Sequence, residues 1–203
     1  VCDVARAVSR AVPHLRLIAC NGTASVEQLL TLKEAGVKAY NHNLETSEAF
    51  YPEVCTTHGW KERYETCQNV NKAGLKLITG GIFGMGETQE DRISMLESLK
   101  SLNPVSVPLN FYHHNPALPL KPNPLTTDEA LELITLARKI ISGADRIMIA
   151  GGREMQFGDR QKEIFAAGAN SIVIGNYLTT QGRDKSSDLE MIKELGFKVA
   201  TKA

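Results

Sequence analysis

Short apolar runs alternate with longer amphipathic stretches along the chain. The apolar runs lack a strict alternation of apolar and polar residues, which is typical of parallel strands covered on both faces. They predict six strands, at residues 15–19, 37–40, 75–79, 106–112, 146–150 and 171–175. The amphipathic stretches predict six helices, at residues 26–35, 61–73, 89–102, 127–141, 160–167 and 187–195.

This order of elements fits either an open doubly wound sheet or most of a (βα)8 barrel. Polar residues follow all six predicted strands. A barrel brings all such positions together at one rim, whereas an open sheet brings together only those at its switch point. We therefore predict an α/β fold, a TIM-type (βα)8 barrel of which the chain holds about the last six β–α units. We treat residues 1–203 as a single domain.

Composition narrows the classes of partner. The 203 residues include 23 basic and 23 acidic side chains, and this balance gives no reason to expect nucleic acid. No run approaches the roughly 18 apolar residues of a membrane span, so no membrane association is expected. The four cysteines show no CxxC spacing, which indicates a reducing cytoplasm. The chain begins with Val1 inside a helical pattern, so we expect it to be a piece of a longer protein.

The glycine-rich stretch GLKLITGGIFGMGET covers residues 74–88. It lacks the Gly-Lys-Ser/Thr of a P-loop, and an acidic residue follows too soon for a dinucleotide fingerprint. What remains is Gly80-x-Ile82-x-Gly84-x-x-Glu87. This pattern indicates either backbone that passes close to a flat or bulky ligand, or a strained turn followed by an acidic helix start at Glu87.

A second polar stretch, YNHNLETS, follows the predicted strand at 37–40. Asn41 and Asn43 point the same way from an extended strand. Their amides suit a ligand with mixed donors and acceptors, and Glu45 is able to accept hydrogen bonds from paired hydroxyls. The alternative is an Asn-rich turn that caps the next helix through Thr46 or Ser47.

Two further features have competing interpretations. Charge pattern alone places Arg63 on a solvated helix face, next to Lys61 and Glu62. Gly151 and Gly152 follow a predicted strand, and glycines there are typical of phosphate sites in barrels. They indicate a phosphate-binding (βα)8 aldolase or synthase as an alternative enzyme.

Five motifs in order, YNHNLETS, GGIFGMGETQEDR, VPLNFY, GGRE and GANSIVIGNYLTT, resemble the biotin synthase family of radical S-adenosylmethionine enzymes. The resemblance extends from about residue 15 to residue 195. It implies a (βα)8 barrel and a homodimer. It also implies sulfur insertion into dethiobiotin to form biotin, with S-adenosylmethionine, a 4Fe–4S cluster and a 2Fe–2S cluster as cofactors and a reductant protein such as flavodoxin.

The resemblance assigns roles to individual residues but no catalytic residue. Implied contacts to S-adenosylmethionine are Asn43, Glu45, Arg63, Gly80, Ile82, Gly84 and Glu87. Implied contacts to dethiobiotin are Asn43, Asn110, Thr179 and Thr180. Implied ligands of the 2Fe–2S cluster, the proposed sulfur donor, are Cys20 and Arg153.

The chain departs from the family pattern in two places. The CxxxCxxC loop that holds the 4Fe–4S cluster in this family is not found in the 203 residues, and we expect its ligands upstream of Val1. A further ligand of the 2Fe–2S cluster would fall at position 78, where the chain has isoleucine. Ile78 motivates a third hypothesis, a diverged radical S-adenosylmethionine relative that binds a small molecule without catalysis. The 203 residues by themselves are expected to be inactive.

Overall fold

A computed structural model describes residues 1–117, 120, 122–177 and 182–200. All paired strands are parallel, in the order β1-β2-β3-β5-β6-β7, and β4 pairs with β5. Because β3 and β4 are separated only by Thr79 and Gly80, they occupy one strand position, which leaves six positions. The strands are β1 Leu17–Ala19, β2 Val37–Asn41, β3 Lys76–Ile78, β4 Gly81–Phe83, β5 Ser106–Phe111, β6 Arg146–Ile149 and β7 Ser171–Ile172.

Helices cover one side of this sheet. They are α1 Cys2–Ala11, α2 Val26–Glu34, α3 Tyr51–Val54, α4 Trp60–Lys72, α5 Gln89–Ser101, α6 Thr127–Ile140, α7 Arg153–Phe157, α8 Glu163–Ala166 and α9 Lys185–Glu194, with a 3-10 turn at Gly158–Arg160. The predicted incomplete TIM-type barrel is confirmed, with every predicted strand present. Residues 160–167 form a 3-10 turn and the short α8 instead of one helix, and the short helices α3 and α7 were not predicted. Within the described residues, no helix has the length and apolar character needed to cross a bilayer.

Local sequence explains where the helices begin and end. Thr126 accepts a hydrogen bond from the backbone of Glu129, whose carboxylate accepts one from Thr126 in return, so that a capping box starts α6. After α2, α4 and α8 the chain turns at glycines with positive φ, a conformation that costs other residues energy. These glycines are Gly36, Gly74 and Gly168.

The strands have two unlike faces. Leu77, Leu109 and Ile147 point toward the helices and are buried. The residues that alternate with them, such as Ile78 and Asn110, are partly exposed on the opposite side, which we call the inner face. The candidate site lies on the inner face, at the carboxyl ends of the strands.

Candidate functional site

Cys20, Asn41 and Ile78 lie in one row across the inner face. Ile78 pairs with Asn41 in the strand register, and Cys20 follows Ala19, which pairs with Tyr40. The amide of Asn41 lies 3.6 Å from the Cys20 sulfur as a donor. The thiol of Cys20 is exposed, so this row faces the open side of the sheet.

Three polar atoms at the end of β2 are buried without a hydrogen-bond partner among the described residues. They are Oδ1 of Asn41, Nε2 of His42 and Oδ1 of Asn43. Buried polar groups in native proteins nearly always have a partner, so these atoms indicate a bound ligand or ordered water. The two amide oxygens are acceptors, and the group that satisfies them must therefore bring N–H or O–H donors.

The side chain of Arg63 points toward these polar residues at the end of β2 and not into solvent. Its Nη1 donates to the backbone oxygen of Asn43 at 2.9 Å, and its Nε donates to the hydroxyl of Tyr51 at 2.7 Å. The interpretation of Arg63 as part of a solvated face is therefore wrong. Nη1 also lies 3.6 Å from the carboxylate of Glu45, where burial raises the pKa of Glu45 and Arg63 opposes that rise.

The segment after β2 is fixed from several elements. Trp60 donates from its indole N–H to the backbone oxygen of Thr46 at 2.9 Å. Ser47 donates to Asp91 at 2.6 Å and accepts from the backbone N–H of Phe50 at 3.0 Å. Ser47 closes the turn before α3, but the cap position of α3 is Phe50, which has no side-chain cap bond, so neither Thr46 nor Ser47 caps that helix.

Glu87 closes the glycine loop on itself. Its carboxylate accepts the backbone N–H groups of Gly84, Met85 and Gly86 at 2.7–3.2 Å and pairs with Arg92 at 2.8 Å. The side chain is 2% exposed. Glu87 therefore shapes the loop, while Thr88 caps α5.

Packing between two strands requires glycine at position 80. A Cβ on Gly80 would overlap the backbone oxygen of Pro108, because the two strands approach closely here. Gly84 is different, since its φ of 92° favours glycine and the space beside it is ordinary. Ile82 pairs with Asn110 in register and is partly exposed on the inner face. The contacts of Gly80, Ile82 and Gly84 with a cofactor stay predictions.

Asn110 joins two strand ends. Its Nδ2 donates to the backbone oxygen of Gly81 at 3.0 Å, and its Oδ1 accepts from the backbone N–H of Gly151 at 2.9 Å. One N–H and one lone pair of the amide remain for a ligand. Because the N–H of Gly151 is already used, it is not free to bind a phosphate.

Arg153 is the first residue of α7 and is bonded to the chain itself. Its side chain is 0% exposed, and both terminal nitrogens bind the carboxylate of Asp188 on α9, at 2.6 and 3.0 Å. They also donate to Gln161, to Glu154 and to the backbone oxygen of Val173. Only Nε lacks a partner among the described residues.

The 2Fe–2S ligand set implied by the resemblance does not fit this arrangement. Ile78 has no donor atom, and Arg153 is bound to Asp188. Of the other cysteines, Cys67 is fully buried, and burial raises its pKa to about 11. In the part of the chain that the structure describes, no three His, Cys, Asp or Glu side chains gather as a metal site.

Thr179 and Thr180 lie outside the described residues, so their predicted contacts with substrate stay predictions. Sequence reasoning overlooked Tyr51 and Asp188, which hold Arg63 and Arg153. Asp188 had no visible signal, since an acidic residue in the first turn of a helix is ordinary. A polar role for Tyr51 was likewise hidden, because its partner Arg63 is 12 residues away.

Two family descriptions match the chain. Residues 4–99 match the Radical SAM superfamily, and residues 108–198 match the Biotin and Thiamin Synthesis associated domain. The biotin synthase of Sulfurimonas denitrificans is 68% identical over 201 residues, which are 99% of this chain and 72% of that protein. The biotin synthase of Aliarcobacter butzleri is 58% identical over 200 residues, 98% of this chain and 71% of that protein.

Solved structures share the fold at low identity. Methylornithine synthase (PylB) superposes with a TM-score of 0.75 at 18% identity, over 98% of this chain and 63% of that one. The [FeFe]-hydrogenase maturase HydG superposes with a TM-score of 0.79 at 14% identity, over 97% of this chain and 48% of that one.

Proposed function

The chain belongs to the biotin synthase family, and from this membership we infer that it forms the larger part of an enzyme that inserts sulfur into dethiobiotin to form biotin. The observation that carries the inference is the 68% identity over nearly the whole chain. The unpaired amides at the end of β2 support it, because they lie where barrel enzymes bind their substrates.

The end of β2 fits S-adenosylmethionine. We propose that Arg63 binds its carboxylate, that Glu45 accepts hydrogen bonds from its ribose hydroxyls, and that the backbone around Ile82 lies against its adenine. Asn43 contributes an amide between these groups. When bound, this cofactor and a reduced 4Fe–4S cluster supply the radical chemistry that removes hydrogen from unactivated carbon.

The substrate fits the remaining polar atoms. The ureido ring of dethiobiotin carries two N–H donors and one carbonyl oxygen. We propose that Oδ1 of Asn41 and Oδ1 of Asn43 accept from the ring, while the spare N–H of Asn110 donates to its oxygen. These amides would fix which carbon of the substrate faces the cofactor, and holding reactants in one geometry is a large part of catalysis.

Other features are proposed from the family alone. They are a 4Fe–4S cluster held by a CxxxCxxC loop, a reductant protein such as flavodoxin, a homodimer and a cytoplasmic location.

The phosphate-binding aldolase or synthase is disfavoured, because Asn110 occupies the N–H of Gly151. Ile78 favours one second candidate, a relative that binds these small molecules but no longer inserts sulfur.

The experiment measures binding and turnover on the anaerobically reconstituted enzyme as its gene encodes it. We expect Asn43→Ala to weaken dethiobiotin binding about tenfold, roughly 1.4 kcal/mol, and Gln68→Ala, which removes an exposed amide from α4, to leave it unchanged. Biotin formation by the parent enzyme separates the two candidates. Binding without biotin would favour the non-catalytic relative, and no binding of either ligand would reject the proposal.

A further inference from the structure

We infer that Arg153 is a buried anchor that fastens α9 and the chain after β7 to the end of β6, and that it is not a ligand of an iron–sulfur cluster. The inference rests on the proposed function, since it concerns the second cluster of the same enzyme. It goes against the ligand set that the resemblance implies.

The hydrogen bonds of Arg153 oppose a role as ligand. A guanidinium nitrogen must lose a proton before it has a lone pair for iron, and guanidinium is almost never deprotonated in proteins. Both terminal nitrogens of Arg153 already donate to the carboxylate of Asp188, at 3.0 and 2.6 Å. Asp188 is itself fully buried, so releasing Arg153 would leave a buried carboxylate without its partner.

The burial of Arg153 also opposes a role as cluster ligand. The row of Cys20, Asn41 and Ile78 faces the open inner side of the sheet, and Cys20 is exposed there. Arg153 is 0% exposed and lies among α7, α9 and the residues that follow β7. A cluster bound to both Cys20 and Arg153 would therefore require this guanidinium to leave its carboxylate partner.

Neighbouring bonds extend the anchor. Glu154 accepts from the hydroxyl of Tyr177 at 3.2 Å and from the backbone N–H of Arg183 at 3.3 Å. Tyr177 also donates to the backbone oxygen of Ala150, at the end of β6, at 2.9 Å. Arg153 and Glu154 thus join the end of β6 to residues on the way from β7 to α9. This is a structural task that explains both charges of the GGRE motif.

One consequence concerns the second cluster. Of the four cysteines in the sequence, Cys20 is the one that lies in the row on the inner face. With Ile78 and Arg153 removed from the ligand set, residues 1–203 supply Cys20 alone from that set. A cluster next to Cys20 would then need ligands other than position 78 and Arg153.

The decisive measurement uses the parent enzyme, grown with 15N-labelled arginine, reconstituted anaerobically and reduced. Pulsed electron paramagnetic resonance detects nitrogen bound to a paramagnetic cluster without any substitution. We expect no coupling to arginine nitrogen. Coupling that disappears in Arg153→Lys would overturn the inference.

Variants test the anchor independently of clusters. We expect Arg153→Lys and Asp188→Asn each to lower the melting temperature by about 10 °C and to leave the Mössbauer spectrum of the folded protein unchanged, whereas Cys20→Ser alters the spectrum. Arg160→Lys is the matched control, because Arg160 pairs with Asp128 at the surface. Unchanged melting in the Asp188 variant would contradict the anchor. Failure of the parent enzyme to make biotin would reject the proposed function and leave the melting test intact.

Discussion

The ends of β2 and β6 look alike in sequence but differ in structure. Each strand is followed by polar residues that resemble a ligand site, around Asn43 after β2 and around Arg153 after β6. After β2, three buried polar atoms have no partner among the described residues. After β6, both terminal nitrogens of Arg153 are bonded, chiefly to a carboxylate that is itself buried.

This difference gives a physical criterion for assigning roles. A buried polar group costs free energy unless it is hydrogen-bonded, so an unbonded group in the protein without ligand indicates a partner that arrives later. A group whose partners belong to the chain stabilises the fold and has little left for a ligand. The criterion places Asn41 and Asn43 in the first class and Glu87 in the second. Arg153 joins the second class through its two terminal nitrogens, with Nε alone unbonded among the described residues.

The largest effect is expected for Gly80→Ala. Because the new Cβ would overlap the backbone oxygen of Pro108, we expect the free energy of unfolding to fall by about 3 kcal/mol in the absence of ligand. Urea denaturation measures this change. Gly143→Ala is the control, since a Cβ there makes an ordinary contact of 3.7 Å with Asn103. Full stability combined with weak cofactor binding would instead show that Gly80 clears space for a ligand.

A smaller effect is expected for Asn41→Ala, and it falls on ligand binding instead of on stability. The substitution removes an unpaired buried oxygen, so the free energy of unfolding without ligand should change by less than about 0.5 kcal/mol. Dethiobiotin binding should weaken by about 1–2 kcal/mol, because the ring loses one acceptor. Isothermal titration calorimetry and urea denaturation measure the two quantities. A loss of stability as large as the loss of binding would move Asn41 into the class of structural groups.

The smallest effect is a pH dependence from His42. Burial, then the nearby charges of Arg63 and His58, lower the pKa of His42 from 6.5 to about 4. The unfolded chain therefore binds this proton more readily, and stability is lost as the pH falls from about 6.5 toward 4. Between about pH 7 and pH 5.5 the parent should lose about 1 kcal/mol more than His42→Gln.

The measurement is the free energy of unfolding in urea at the two pH values. His14→Gln provides the control, because His14 is exposed. Equal pH dependence of the parent and His42→Gln would mean that a ligand or water satisfies Nε2 and stabilises the protonated ring. In that case the unbonded Nε2 of His42 would not indicate a ligand site.

Sequence reasoning succeeded where the signal is local. The strands and most helices follow from apolar runs and amphipathic periods, and their caps from neighbouring residues such as Thr126 and Glu129. The sequence pattern was less informative for short helices. Residues 51–54 and 153–157 form single turns of helix fixed by tertiary contacts, which leave little periodic pattern.

The candidate site was predictable in position but not in detail. Polar residues after each strand had to meet at one rim once the sheet was parallel. The direction of Arg63 was not predictable from charge pattern, because it depends on Tyr51 and on the backbone of Asn43. Gly80 was expected either to lie against a ligand or to belong to a strained turn, and only the structure shows that a Cβ there would overlap the backbone oxygen of Pro108 on β5.

The sequence by itself determined the family, the parallel α/β order and the rim on which Asn41, Asn43 and Asn110 lie, because periodicity and motif order are properties of neighbouring residues. Tertiary structure decided which of the polar groups are already satisfied. Asp188 lies 35 residues from Arg153, and no pattern links the two until α9 packs beside α7. Hydrogen-bond partners are chosen by proximity in space, so only the folded chain distinguishes a residue that waits for a ligand from one that holds the barrel together.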